Sequence, residues 1–285
     1  MRHLDLPRGA TPLSLPVLGL GTWRFGEAQR ARAMEIASVR TALELGYRLI
    51  DTAEMYGEGG AEEIVGAALN DAIRAGDVRR DEVMVVSKVY PHNASRRGTQ
   101  AACDRSRRRL RLDHIDVYLL HWRGQHPLAQ TIEALQGLAA AGNIRRWGVS
   151  NFDVDDMEEL TAISADCALN QVWYSLGVRA PEFALLPWLR ARGMPLMAYS
   201  PIDQGRTAQD AVLKEIAAAR GLTATQIALA GLLAQPDVVA IPKATGAVHL
   251  RENLAAVDVV LSEAELQAIE QRFPRPAHKT PLAMN

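Results

Sequence analysis

The chain has 285 residues, 48% of them hydrophobic and 23% charged, and its formal net charge is −1. This near-neutral balance argues against nucleic-acid binding and against attachment to an anionic membrane surface. The two cysteines lack a ligand-spacing motif, and no stretch approaches the roughly 18 apolar residues of a membrane span. We therefore expect no metal, no nucleic-acid or membrane partner, a cytoplasmic location, and a monomer or weak oligomer that acts on a small molecule.

In chain order, short apolar runs alternate with longer amphipathic stretches. The runs are rich in Val, Ile, Leu and Tyr and mostly lack polar alternation, which is typical of strands buried on both faces. Strands are predicted over residues 15–20, 48–53, 83–89, 115–121, 145–150, 168–174, 195–200 and 238–242. Helical periodicity predicts helices over residues 39–45, 61–73, 100–110, 128–140, 154–163, 182–191 and 211–220.

Two further helical stretches are predicted over residues 225–234 and 263–270. A barrel of eight strand–helix units does not need them, so we expect them to lie outside it. Strands that alternate with helices predict a parallel sheet, and a closed barrel of this kind takes about 250 residues. An open doubly wound sheet is the alternative, but Gly19-Leu20-Gly21 is not followed by the third glycine of a dinucleotide-binding turn. We predict an α/β fold, a (β/α)8 TIM barrel that forms a single domain over residues 1–285 with extra peripheral helices.

Polar residues lie at the ends of three neighbouring apolar runs. Asp51, Lys88 and His121 lie at the ends of the second, third and fourth predicted strands, and Tyr56 lies on the loop after Asp51. Because the carboxyl ends of barrel strands face the active site, we expect all four at one mouth. Each alone has an ordinary explanation, since a lysine there usually extends to solvent and an aspartate often caps a turn. Their occurrence together on consecutive strands favours catalysis.

The chemistry of these four residues suits the reduction of a carbonyl group. A tyrosine hydroxyl, with a pKa of about 10, is protonated at neutral pH and can donate its proton. The ammonium of Lys88 would lower the pKa of Tyr56, and Asp51 would supply the counterion that a buried ammonium needs. His121 would orient the carbonyl oxygen. We therefore expect Tyr56 to be the proton donor.

Several short motifs resemble those of the aldo-keto reductase family. Residues 51–57 are similar to its D-T-A-x-x-Y-G signature, and the resemblance extends over residues 15–253. Matching pieces are Gly21-Thr22-Trp23, Lys88, His121-Trp122, Asn170-Gln171-Val172 and Ile241-Pro242-Lys243. The resemblance implies a barrel that reduces carbonyls with NAD(P)H and assigns catalysis to Asp51, Tyr56, Lys88 and His121.

The resemblance also implies where the cofactor binds. It places the nicotinamide amide against Ser150, Asn151 and Gln171, with Tyr199 stacked on the ring. The other implied cofactor residues are Gly21, Thr22, Trp23, Asp51, Ser200, Pro201, Ile202, Ile241, Lys243, Ala244, Thr245, His249, Glu252 and Asn253. Ala244 and His249 stand where the family often has serine and a phosphate-binding arginine, so we expect NADPH while NADH remains possible.

The implied substrate is a small carbonyl compound. Its pocket would be lined by Trp23, Met55, Tyr56, His121 and Trp122, whose aromatic and thioether groups suit partly apolar aldehydes. Residues 49–56, 87–91, 144–151 and 197–201 further resemble the bacterial branch with methylglyoxal-reducing members. The expected reaction is therefore the reduction of aldehydes and 2-oxoaldehydes to alcohols.

Two other functions remain open at this point. The chain could be a non-catalytic NADP(H)-binding, redox-sensing subunit. It could also be a barrel lyase or isomerase in which Lys88 forms a Schiff base, although the neighbouring Asp51 and Tyr56 favour a charged lysine. The segment after Phe273 contains three prolines, and the sequence does not place it relative to the pocket.

Overall fold

The computed structural model describes residues 1–7 and 12–284. Its strands are β1 His3–Asp5, β2 Ser14–Pro16, β3 Leu20–Gly21, β4 Leu49–Asp51, β5 Met84–Val89, β6 Ile115–Leu120, β7 Ile144–Ser150, β8 Asn170–Trp173, β9 Leu196–Tyr199 and β10 Val238–Ala240. Its α-helices are α1 Arg32–Leu45, α2 Gly60–Ala75, α3 Arg96–Leu110, α4 Leu128–Ala140, α5 Val154–Ile163, α6 Leu185–Arg190, α7 Ala211–Arg220, α8 Ala224–Leu233, α9 Ala247–Ala255 and α10 Glu263–Arg272.

Strands β3 to β10 form one parallel sheet in which each strand pairs with the next along the chain. The two edges of this sheet meet, because Leu18 bridges to Ala240 and the N–H of Gly19 donates to the Ala240 carbonyl at 2.9 Å. Gly21 permits the close approach, since a Cβ there would lie 2.6 Å from the carbonyl oxygen of Ile241. The predicted (β/α)8 barrel is confirmed.

The hairpin of β1 and β2 closes the amino-terminal end of the barrel. Its apolar side chains pack against Leu49 and Met84, the first residues of β4 and β5, in a core that fills the barrel axis. The predicted first strand, 15–20, is therefore partly wrong, because residues 14–16 pair with β1 and only the end of the run joins the barrel. One continuous apolar run forms both elements, so periodicity alone does not divide it.

The helices surround the barrel, and two assignments from the sequence are corrected here. The stretch 225–234 was expected outside the barrel, but α8 is buried along most of its length and packs against β10 and α9. It is α7 that lies outside, packed on α8 and α10 with only Leu213 and Ala217 buried. Helix α9, which periodicity missed, buries only Leu250 and Asn253 and so has no apolar stripe to detect.

One further result concerns hydropathy. Within residues 1–7 and 12–284, no single helix is long and apolar enough to cross a membrane. Helices α7 and α8 reach that length and hydropathy only as a pair, with a bend of 99° between them.

Candidate active site

A cavity of about 540 Å³ opens at the carboxyl ends of the barrel strands. Most of the residues predicted from the sequence line it. These are Gly21, Trp23, Asp51, Met55, Tyr56, His121, Trp122, Asn151, Gln171, Tyr199, Ser200, Pro201, Ile202, Ile241 and Lys243. Of the four residues expected at one mouth, Asp51, Tyr56 and His121 line the cavity, whereas Lys88 is fully buried and does not.

Lys88 and Asp51 form a buried ion pair at the cavity wall, in which Asp51 lines the cavity and Lys88 does not. The Lys88 Nζ donates to both carboxylate oxygens of Asp51 and to the Thr52 carbonyl, each at 2.8 Å. Burial raises the pKa of Asp51 and lowers that of Lys88, while the attraction between the charges opposes both shifts. Three acceptors around one nitrogen match the three donors of an ammonium, so the pair is ionised.

The phenol of Tyr56 lines the same cavity, next to this pair. The Lys88 Nζ is 5.0 Å from the centre of the Tyr56 ring, and the ring of His121 meets it edge-on at 5.7 Å. Burial holds the pKa of Tyr56 well above its ordinary value, and the negative charge of Asp51 raises it further. The net lowering expected from Lys88 is therefore not seen, because burial of the phenol outweighs it and the negative charge of Asp51 adds to the rise. The phenol is protonated and can donate.

His121 is a neutral imidazole in this site. Burial, followed by the positive charge of Lys88, holds its pKa well below the ordinary value. Its Nδ1 has no hydrogen-bond partner within the described residues, and its backbone carbonyl accepts a bond from Asn151 Nδ2 at 3.1 Å. A neutral ring has one N–H, so His121 can donate a hydrogen bond without competing with Tyr56 as an acid.

Amide side chains lie together on another wall of the cavity. Asn151 donates to Ser150 Oγ at 3.1 Å and accepts a bond from the Tyr199 hydroxyl at 2.9 Å, and its φ of 60° turns it towards these partners. Gln171 Nε2 donates to Asp51 Oδ1 at 2.8 Å. Ser150 itself is buried behind this wall. Both amide nitrogens already donate to groups of this chain, so the group offers its amide oxygens as acceptors to a ligand.

Positive charge lies at a different part of the same cavity. Lys243 and Arg24 are exposed and line it, and neither forms an ion pair with a carboxylate of the described residues. The Arg24 guanidinium stacks over Trp23 at 4.4 Å from the ring centre. Two such cations suit phosphate groups. The cavity therefore combines amide groups with positive charge.

The remaining predicted cofactor residues lie outside the lining of the cavity. Thr22 is buried next to it, and its hydroxyl donates to the Asp51 carbonyl at 2.9 Å. The others belong to the segment from β10 into α9, namely Ala244, Thr245, His249, Glu252 and Asn253. Ala244 and Asn253 are buried, whereas His249 is exposed. This segment begins at the cavity with Lys243 and leads away from it.

Four lining residues were not predicted from the sequence, namely Arg24, Gln204, Gly205 and Met284. Arg24 could have been predicted as a lining residue, because it directly follows Trp23, which was predicted to line the pocket. No sequence signal indicated Met284, because hydrophobic periodicity does not predict the position of a proline-rich segment. That segment returns to the barrel through Lys279, which lies 3.4 Å from both Asp153 and Asp155 at the start of α5.

Comparison with known proteins agrees with this geometry. A sequence model described as the aldo/keto reductase family matches residues 17–272. Methylglyoxal reductase YeaE of Escherichia coli (strain K12) is 46% identical and covers 95% of this chain and 96% of its own. Glyoxal reductase of Bacillus subtilis (strain 168) is 34% identical, with coverage of 90% and 89%.

A solved structure is similar along the whole chain. It is the crystal structure of an aldo-keto reductase from Klebsiella pneumoniae in complex with NADPH, with a TM-score of 0.92 and 44% sequence identity. The alignment covers 100% of both chains.

Proposed function

The chain belongs to the aldo/keto reductase family, and we propose that it reduces small aldehydes and 2-oxoaldehydes to alcohols with NADPH, using Tyr56 as the general acid. The observation that carries this proposal is that Tyr56, His121 and Asp51 line one cavity, with Lys88 paired to Asp51. The raised pKa of Tyr56 and the lowered pKa of His121, both caused first by burial, favour a phenol that donates beside a neutral imidazole. When bound, NADPH supplies the hydride for the carbonyl carbon.

The chain's own residues handle the carbonyl oxygen. Tyr56 donates its proton to that oxygen, and a developing alkoxide is basic enough to take it even from a phenol whose pKa is raised. His121 donates a hydrogen bond to the same oxygen and so fixes its direction. After the transfer, the phenolate of Tyr56 is stabilised by the ammonium of Lys88, and Asp51 keeps that ammonium charged in a buried place.

The donor groups of the cavity support NADPH as the cofactor. Ser150, Asn151 and Gln171 would hold the carboxamide, and Tyr199 would lie against the ring. Lys243, with Arg24, would bind phosphate. Of the residues leading into α9, Thr245, His249, Glu252 and Asn253 would hold the adenosine end. The NADPH in the Klebsiella pneumoniae structure supports this choice. Ala244 and His249, which replace the serine and arginine frequent in the family, are also compatible with NADH.

The walls of the cavity support a small substrate. Trp23, Met55 and Trp122 present apolar surface around the reacting groups, which suits short aldehydes and dicarbonyls. The names of two relatives, a methylglyoxal reductase and a glyoxal reductase, support the same class. We also propose that the protein works in the cytoplasm as a single domain, 1–285, and as a monomer or weak oligomer.

The two other functions considered from the sequence are less well supported. A redox-sensing subunit would need no proton donor, yet the acid and its charge-balancing pair are assembled together. A Schiff-base lysine would need a free nitrogen at the cavity. Lys88 Nζ is fully buried, with all three hydrogens bonded.

A kinetic panel tests the proposed function. NADPH oxidation would be followed with methylglyoxal, glyoxal and a series of aldehydes, with NADH in parallel. We expect turnover of at least one 2-oxoaldehyde and faster reaction with NADPH. Quenching of NADPH fluorescence by the protein without turnover of any carbonyl would overturn the reductase and favour the binding role.

A further inference from the structure

Glu54 forms a buried junction between three elements near the active site. It lies between Asp51 and Tyr56 in the loop after β4, and its side chain is only 6% exposed. Its Oε1 accepts the backbone N–H of Tyr90 at 2.7 Å and the side-chain amide of Asn93 at 3.1 Å. Its Oε2 pairs with Arg105 of α3 at 3.2 Å. The carboxylate thus joins the loop that carries Tyr56 to the loop that follows Lys88.

The segment held by Glu54 supports the aromatic wall of the cavity. The Tyr90 ring meets Trp122 edge-on at 5.1 Å. The Trp122 ring is 4.9 Å from His121, and His121 in turn meets Tyr56 at 5.7 Å. Tyr90 does not itself line the cavity, so it supports Trp122 from behind.

We propose that Glu54 is a positioning residue for carbonyl reduction, which acts through Tyr90 and Trp122 to hold His121 against Tyr56. Reduction requires the carbonyl oxygen to meet two donors at once, and small displacements of such groups are costly. Loss of the carboxylate would leave the Tyr90 N–H without its acceptor and free the loop to move. The proposal deepens the reductase function and rests on it.

Asp116 provides a matched control. It is a buried carboxylate that accepts a backbone N–H, from Val85 at 2.9 Å, and pairs with an arginine, Arg80, at 2.7 Å. It lies near the start of β6, at the opposite end of the barrel from the cavity. Asp116→Ala therefore removes the same kind of interaction as Glu54→Ala without touching the aromatic wall.

The kinetic test compares Glu54→Ala, Glu54→Gln and Asp116→Ala with methylglyoxal and NADPH. We expect Glu54→Ala to lower kcat/KM by roughly 10-fold or more, with the Kd for NADPH unchanged. Glu54→Gln keeps an acceptor for Tyr90 and loses only the attraction to a part-exposed arginine, so its loss should stay below about fivefold. Asp116→Ala should lower stability but leave kcat/KM unchanged. Equal losses of kcat/KM in Glu54→Ala and Asp116→Ala would overturn the proposal.

A double-mutant cycle with Trp122→Ala tests the route of the effect. Once the Trp122 ring is gone, Glu54→Ala should cost little more, whereas independent effects would multiply and contradict the route. If Glu54→Ala does not fold, Tyr90→Ala replaces it in the cycle. That variant should lose kcat/KM in the same way, and an unchanged value would equally contradict the proposal.

A readout without turnover separates this proposal from the reductase function. The fluorescence of each protein minus that of its Trp122→Phe counterpart reports the surroundings of Trp122. We expect Glu54→Ala, but not Asp116→Ala, to change this difference. If no carbonyl is turned over, the reductase function fails while the fluorescence still tests the role of Glu54, and an unchanged difference spectrum would refute it.

Discussion

The Lys88 ammonium lies 2.8 Å from each carboxylate oxygen of Asp51, at a depth where neither side chain is more than 3% exposed. Such a pair is expensive to break, because the charge that remains is buried without a partner. It also sets the field around Tyr56, since a nearly neutral pair affects the phenol much less than a lone ammonium would.

The stability of the fold should depend on both members of this pair. We expect Lys88→Met and Asp51→Asn each to lower the free energy of unfolding by about 3–5 kcal/mol. The double variant should lose much less than the sum, because it leaves no uncompensated charge. Urea denaturation of the four proteins measures the cycle, and additive losses would contradict the description of an ionised pair.

The pH dependence of reduction should respond to Asp51. Its negative charge disfavours the phenolate and so helps to raise the pKa of Tyr56. Removal of that charge in Asp51→Asn should lower this pKa, so the protonated donor is lost at lower pH. The descending alkaline limb of kcat/KM should therefore move to lower pH than in the unmodified protein. A limb that stays in place or moves upward would contradict the role given to Asp51.

Tyr56→Phe should remove the proton donor and little else. We expect reduction to fall by about 10²-fold or more, the usual scale for general acid catalysis, with NADPH binding retained. Tyr47→Phe is a matched control, because Tyr47 is also buried and its hydroxyl donates to the Leu250 carbonyl at 2.9 Å, outside the cavity. Near-normal reduction by Tyr56→Phe would remove Tyr56 from its proposed role.

Cofactor preference should respond to His249, at the start of α9. An arginine there would be a permanently charged, bidentate hydrogen-bond donor to the 2′-phosphate of NADPH, which NADH lacks. We expect His249→Arg to raise the ratio of kcat/KM for NADPH over NADH by roughly 10-fold. His249→Gln, which adds no charge, should leave the ratio nearly unchanged. If His249→Arg gives no rise, His249 does not face that phosphate.

Much of the barrel could be predicted because its strands are buried on both faces. Continuous apolar runs such as those of β5 and β6 have no competing explanation at that length. Polar residues at the ends of such apolar runs are easily recognised, and Lys88 and His121 do lie at the carboxyl ends of the barrel strands, where the cavity opens. The sequence analysis placed the stretch of α8 outside the barrel, where α7 lies instead. The nearly uniform apolar character of α8 was a signal for its burial.

The other errors have a common physical cause, which is dependence on contacts distant in sequence. The direction of the Tyr56 pKa shift depends first on the burial of the phenol and then on its distance from Asp51, and spacing along the chain determines neither. Met284 reaches the cavity through a proline-rich segment without periodicity. Glu54 was visible only as one letter of a motif, because its partners Tyr90 and Arg105 come from other elements.

The amino-terminal hairpin has a consequence for the reaction cycle. Since it and the packed axis close one end of the barrel, water reaches Tyr56 from the mouth of the cavity and not from behind. A mouth filled by reactants separates the phenolate from bulk solvent. In the proposed mechanism, Tyr56 would therefore regain its proton from solvent at this mouth after the alcohol departs.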